Sequence, residues 1–221
     1  MAKTPKKVYY SEAELIKLFA LKRIKGRQTP EMERWLSAPA AVLDVVEQGI
    51  FDRILPLAIR DIDGWNEEDL KMQFISQVLP LGQMNSNGRY KAFYEKTISG
   101  VVEGTPLTTK TDFMLATGIL NKPESPYFHF HEYKPQINPS GEPMAQLLEA
   151  MLIAQENNKN GKPIYGAEIV GKQWSFVTLL GKTYCISKTF ISTDKDNLLA
   201  IIAILRHFIH ILETELLDDI L

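Results

Sequence analysis

A single cysteine, Cys185, stands in 221 residues. An intramolecular disulfide needs two and a thiolate zinc cluster needs more, so both are excluded. Net charge is nearly absent: 25 Lys and Arg stand against 27 Asp and Glu, giving −2. That is not the profile of a protein that coats nucleic acid by charge alone. Long apolar runs are missing too. The longest, Leu198 to Leu205, falls far short of the ~20 residues of a membrane helix, and no membrane association is expected. The lysines near the start precede no apolar stretch of the secretory type, so the expected location is cytoplasmic. No internal repeat and no low-complexity segment is present.

What is present is a globular composition, 45% hydrophobic and 24% charged, with enough chain to bury a core unaided. Charge is unevenly spread. Residues 1 to 27 hold eight basic residues, among them Lys3, Lys6, Lys7 and Arg23, and the last nine hold Glu213, Glu215, Asp218 and Asp219. Such runs are solvated faces, or at the start a basic arm for phosphate.

The first third reads as helical. Ser11 and Glu14 form a capping box ahead of Leu15, Leu18 and Phe19. Thr29-Pro30 opens a second helix. Val42, Val45, Val46 and Ile50 recur at helical spacing. Asn66 is a good N-cap for a helix that opens with Glu67, Glu68 and Asp69 and runs to about Leu79. From Tyr90 the period falls to two. Strands are predicted over residues 93–102, 110–117 and 127–134, with a loop over 121–126. A helix opens at Pro143, strands follow over 164–170, 174–180 and 183–190, and a last helix runs over about 196–217. This order predicts an α/β (α+β) fold, a central mixed sheet flanked by helices. Residues 1–63 form a helical extension or cap and 64–221 the core.

Three residues carry candidate chemistry: Asp112 on the second strand, Glu132 and Lys134 on the third. Strand side chains alternate, so Glu132 and Lys134 share a face, with Phe128 and Phe130 further back on it. If the two strands are neighbours, two carboxylates and an ammonium converge. Clustered carboxylates repel and resist burial unless a cation compensates. Magnesium or manganese suits hard oxygen ligands and polarises a phosphoryl oxygen. A lysine beside it serves the attacking water. The bland alternative is a solvent-facing Glu132–Lys134 ion pair, against which stand the aromatic residues around Glu132.

Thr111-Asp112, followed by Glu132-Tyr133-Lys134 on the next strand, resembles the PD-(D/E)xK, restriction-endonuclease-like nuclease superfamily, with Thr111 where the pattern has Pro. The resemblance covers roughly residues 64 to 190. It implies Asp112, Glu132 and the Tyr133 carbonyl as metal ligands and Lys134 as the catalytic lysine. It also implies an acid on the first core helix, for which Glu67, Glu68 and Asp69 compete and Glu68 is favoured, and a glutamine after E-x-K, matched by Gln146. The activity implied is magnesium- or manganese-dependent hydrolysis of nucleic acid, DNA first. A second class of function is open: the same fold as an inactive module in nucleic-acid or protein binding, with the apolar last helix as a homodimer contact.

Other features have simpler readings. His129 and His131 share a strand face but lack further ligands for zinc. Gly166 to Lys172 spells G-x-x-x-x-G-K but continues with Gln173, on a strand–turn–strand. Trp174, Phe176 and Tyr184 read as one hairpin face. Cys185 reads as packed.

Overall fold

The computed structural model describes residues 10–137 and 139–217. Lys3, Lys6, Lys7, Asp218 and Asp219 of the two charged runs lie outside them.

Cap chemistry explains the helix starts. Ser11 and Glu14 close the box of α1 (Glu12–Phe19). Thr29 caps α2 (Pro30–Leu36), with Pro30 in the first turn. Asp44 and Glu47 close a box on α3 (Val45–Asp61). Asn66 and Asp69 do so for α4 (Glu67–Asp69), which runs on through a π-helical stretch (Leu70–Ile75) into α5 (Ser76–Leu81). Helix α6 spans Pro143–Asn158, and α7 spans Lys195–Ile211.

Eight strands make one mixed sheet: β1 (Lys22–Ile24), β2 (Lys91–Val102), β3 (Thr105–Ile119), β4 (Lys122–Lys134), β5 (Ile164–Val170), β6 (Gln173–Leu180), β7 (Thr183–Ile186) and β8 (Phe190–Ile191). The spatial order is β1-β7-β6-β5-β4-β3-β2, with β8 also on β6. Pairs β1–β7 and β4–β5 are parallel and the others antiparallel. Helix α6 is the crossover that parallel β4 and β5 require. The β2–β3 hairpin turns at Glu103 and Gly104, both at positive φ (46° and 82°), as a two-residue hairpin turn demands.

Two cores lie on the two faces. One joins α1 and α6 to Phe93, Met114, Phe130, Val177 and Tyr184. The other joins α2, α3, α5 and α7 to Phe113, Phe128, Tyr133, Trp174 and Phe176. The predicted fold class, a mixed sheet with helices on both faces, is therefore observed. The described part of residues 1–63 supplies one strand to the sheet and helices to both layers.

Several local expectations fail for identifiable reasons. The 121–126 loop is instead the start of β4, paired through Thr117↔Glu124 and Ile119↔Lys122. A bulge there opposes Leu115 and Ala116 to His129 and Tyr127. It adds a residue and moves Phe128 to the face opposite Phe130. Val42, Val45 and Val46 are exposed; α3 turns Phe51, Ile54 and Ala58 inward. Tyr184 sits on the face opposite Trp174 and Phe176, beside Leu179. By length and composition Lys195–Leu216 is apolar enough to cross a membrane. In the fold its Leu198, Ile201, Ile202, Leu205 and Phe208 are buried on the chain's own core.

Candidate active site

Strands β3 and β4 are hydrogen-bonded as far as Phe113↔His131 and then part. Asp112 follows at the split, and its Oδ2 accepts the Tyr133 N–H at 2.7 Å. A side chain thus replaces the missing ladder bond. On the other flank, pairing of β2 skips from Tyr94↔Phe113 to Lys96↔Thr111. The skipped Glu95 adopts φ 54°, a left-handed conformation that a non-glycine residue enters at a cost. Strand β4 continues beyond the split because β5 pairs with it, through Glu132↔Glu168 and Lys134↔Val170. The rupture opens the sheet at Asp112 while Glu132 and Lys134 stay rigidly held.

The split gathers charge. Lys134 Nζ lies 2.7 Å from Glu132 Oε1, 3.0 Å from the Tyr133 carbonyl and 3.6 Å from Glu67 Oε2. Lys71 Nζ lies 2.9 Å from Asp112 Oδ1, 2.7 Å from Glu67 and 2.8 Å from Glu95. Glu95 also pairs with Lys110. The Glu132 and Lys134 side chains are only 4% and 8% exposed, which excludes the solvent-facing ion pair. Three inner carboxylates, Glu67, Asp112 and Glu132, meet two ammonium groups.

Titration follows from burial and neighbours. Burial, then the Asp112 charge, pushes Glu132 up to about 7. Burial also raises Asp112, partly offset by Lys71 and the Tyr133 N–H. Burial opposes the charge on Lys134, but Glu132, Glu67 and Asp112 outweigh it and raise its pKa. Lys71 is raised in the same way, burial being outweighed by Glu67, Glu95 and Asp112. Burial dominates, so Glu132 is pushed up even with the Lys134 ammonium 2.7 Å away.

Asp112, Glu132, Tyr133 and Lys134 therefore meet at one point. Gln146, on the first turns of α6, lines a cleft with Lys134. Glu68 does not join them: its side chain is 79% exposed and 3.9 Å from Lys71. Glu67 turns inward in its place. The signal for Glu67 was its spacing of four from Lys71, with the acid N-terminal. Lys71 and Glu95 were missed in the sequence. Glu168, level with Glu132 on β5, was missed as well; burial raises its pKa, and it accepts a hydrogen bond from the Met144 N–H.

The histidines lie on the other face. His131 Nε2 and His129 Nε2 are 2.7 Å apart, and His131 Nδ1 is 2.9 Å from the Tyr133 hydroxyl. Both rings are buried, with pKa values pushed down by that burial. Gly171 and Lys172 occupy a β-turn, without the helix that a phosphate loop needs. Cys185 is buried.

Two carboxylates and one carbonyl are hard oxygen donors of the kind magnesium and manganese prefer. Burial first, and the Asp112 charge second, disfavour an anion at Glu132, and a bound cation would offset both. The donor set fits such an ion, although no ready-formed group of three His, Cys, Asp or Glu ligands is found among the described residues. No protein-family model matches the chain, and no curated protein matches its sequence.

Proposed function

We propose that the protein is a nuclease of the PD-(D/E)xK type that hydrolyses phosphodiester bonds in nucleic acid. The observation that carries the reading is the convergence of Asp112, Glu132 and Lys134, all largely buried, where two core strands part. A structural ion pair has no need of a second buried carboxylate, whose repulsion costs stability.

Asp112, Glu132 and the Tyr133 carbonyl would hold a magnesium or manganese ion. When bound, such an ion lowers the pKa of water and neutralises charge on a phosphoryl oxygen. The chain's own groups do the rest. Lys134, anchored by Glu132 and Glu67, orients the attacking water and stabilises charge as it develops on the phosphate. The Asp112–Tyr133 hydrogen bond fixes the backbone of Tyr133, whose own carbonyl, one peptide on, accepts from Lys134 Nζ at 3.0 Å. Gln146 extends the polar wall beside Lys134.

Lys134→Ala tests the assignment. With either metal, cleavage of DNA should fall by a factor of about 10² to 10⁴, the range for one acid–base or charge-stabilising group. Metal binding by calorimetry should persist and should vanish in Asp112→Ala. Full activity in Lys134→Ala refutes the role of the lysine. Absence of cleavage by the wild type, on DNA or RNA with either metal, refutes the nuclease reading.

One observation favours a second reading. Lys71 already neutralises Asp112 at 2.9 Å, as in a fold kept for binding without turnover. That reading expects neither cleavage nor metal binding, together with measurable association with nucleic acid or a second protein.

A further inference from the structure

Two clefts flank the acid–lysine cluster. The one beside Lys134 and Gln146 is lined mainly by polar groups, among them Ser11, Glu14, Ser140 and Glu142. The other opens on the Asp112 side and has a volume of about 280 Å³. Met72, Ile75, Leu79 and Tyr94 line it, together with Lys71, Glu95 and Asp112 of the cluster and the polar groups of Glu68, Ser76 and Tyr133.

This second pocket has a built aromatic wall. Tyr94 is 53% exposed and Met72 70%, large apolar groups left bare beside a cluster that is otherwise buried. The Tyr94 ring meets Phe113 at 5.4 Å and 61°, so one side is fixed and the rest faces out. Its hydroxyl has no hydrogen-bond partner among the described residues. The left-handed turn at Glu95 follows directly, and interrupts the strand pairing there. Such backbone outliers cluster where ligands are held.

We infer that this pocket receives the base of an unpaired nucleotide whose phosphate lies on the Asp112–Glu132–Lys134 cluster, which makes the substrate single-stranded or frayed nucleic acid rather than intact duplex. The inference rests on the nuclease reading. The pocket is smaller than a usual complete small-molecule site of about 300–1,000 Å³, so it suits one part of a ligand that continues onto the cluster. An aromatic ring, a thioether and two aliphatic side chains suit a flat π-surface. A purely aliphatic ligand has no use for a lining that carries Lys71, Glu95 and Asp112. A base inside a duplex is stacked and paired, and would have to be extruded to enter. Stacking on an aromatic face is available to every base, so binding should be largely tolerant of sequence.

The test is fluorescence anisotropy of a labelled single-stranded DNA octamer and of the same strand annealed to its complement. Calcium replaces magnesium, to slow cleavage. Wild type, Tyr94→Ala and Tyr94→Phe are compared after their melting temperatures are shown to match. The inference expects the single strand to bind more tightly than duplex, a rise in Kd of about tenfold or more in Tyr94→Ala, and recovery in Tyr94→Phe, from the strength of one base–aromatic stack. Equal affinity for both forms, or an unchanged Kd in Tyr94→Ala, overturns it. Cleavage with magnesium is measured in parallel. Tyr94-dependent binding without cleavage keeps the pocket and removes the nuclease reading. Cleavage with Tyr94-independent binding does the reverse.

Discussion

Replacing Lys71 by methionine keeps the aliphatic stem and deletes the charge. Its ammonium is the partner of Asp112, whose side chain is only 10% exposed. Removing one member of a buried pair typically costs about 3–5 kcal/mol, because the other charge is stranded. Glu67 and Glu95 are 32% and 43% exposed, so water screens them and they add little. A loss of about 3 kcal/mol is expected, which lowers the melting temperature of a chain this long by about 6–12 °C. The same substitution clears the cation from Asp112. Manganese at about a hundredfold over its dissociation constant then restores about 2.7 kcal/mol. The wild type should gain less, since the ion must first displace Lys71. Thermal melting of both proteins, with and without manganese, measures all four values. An unchanged melting temperature without metal refutes the claim that Lys71 holds the acids. A larger manganese gain in the wild type refutes the claim that lysine and metal compete.

Acid stability should reveal the buried histidines. Burial holds His129 well below its usual range and His131 at about 3, so both take up protons only on unfolding. Each group's stabilisation is full above about 6.5 and is lost as pH falls, at up to about 1.4 kcal/mol per pH unit. Glu132, raised to about 7, binds its proton in the folded state first and acts with the opposite sign between about 4.5 and 7. Asp112 and Glu168, also raised by burial, act with the sign of Glu132, so the acids together offset part of the up to ~2.8 kcal/mol per unit that the two histidines lose from about pH 6 to 5. Glu132→Gln removes one of these offsets and should steepen the slope in urea titrations by up to about 1.4 kcal/mol per pH unit; a flatter slope contradicts the sign. Gly166→Ala places a methyl 2.9 Å from Leu147 Cδ1 and 3.1 Å from the Phe130 carbonyl. It should cost about 1–3 kcal/mol as α6 is pushed off the sheet, read as a lower denaturation midpoint, and an unchanged midpoint would show that α6 yields freely.

Much of this arrangement was legible because it is local. The capping residues Ser11, Thr29 and Asn66 mark helix starts by hydrogen bonds within three residues. Alternation alone put Glu132 and Lys134 on one face. The rest depends on distant partners. Strand β1 is three residues long and exists because residues near 184 pair with it. The bulge before His129 leaves no mark in a run of alternating residues. The inward turn of Glu67 and Lys71 follows from how Leu70, Phe74 and Val78 seat their helix on the core. Three adjacent acids in the sequence cannot reveal that orientation.

The pairing of β1 with β7 also bears on the order in which the chain assembles. Lys22 to Ile24 leave the ribosome long before their partners, Thr183 to Cys185. Until those residues emerge, the first strand has no ladder to join and α1 no finished layer to cover. Contacts of such sequence separation form slowly, because a long loop must close before any bond rewards it. The nascent chain therefore carries the apolar faces of Leu15 and Phe19 uncovered until Thr183 to Cys185 emerge. The two lysines and the arginine in and just after β1, Lys22, Arg23 and Lys25, keep that waiting segment soluble and discourage it from pairing with another chain.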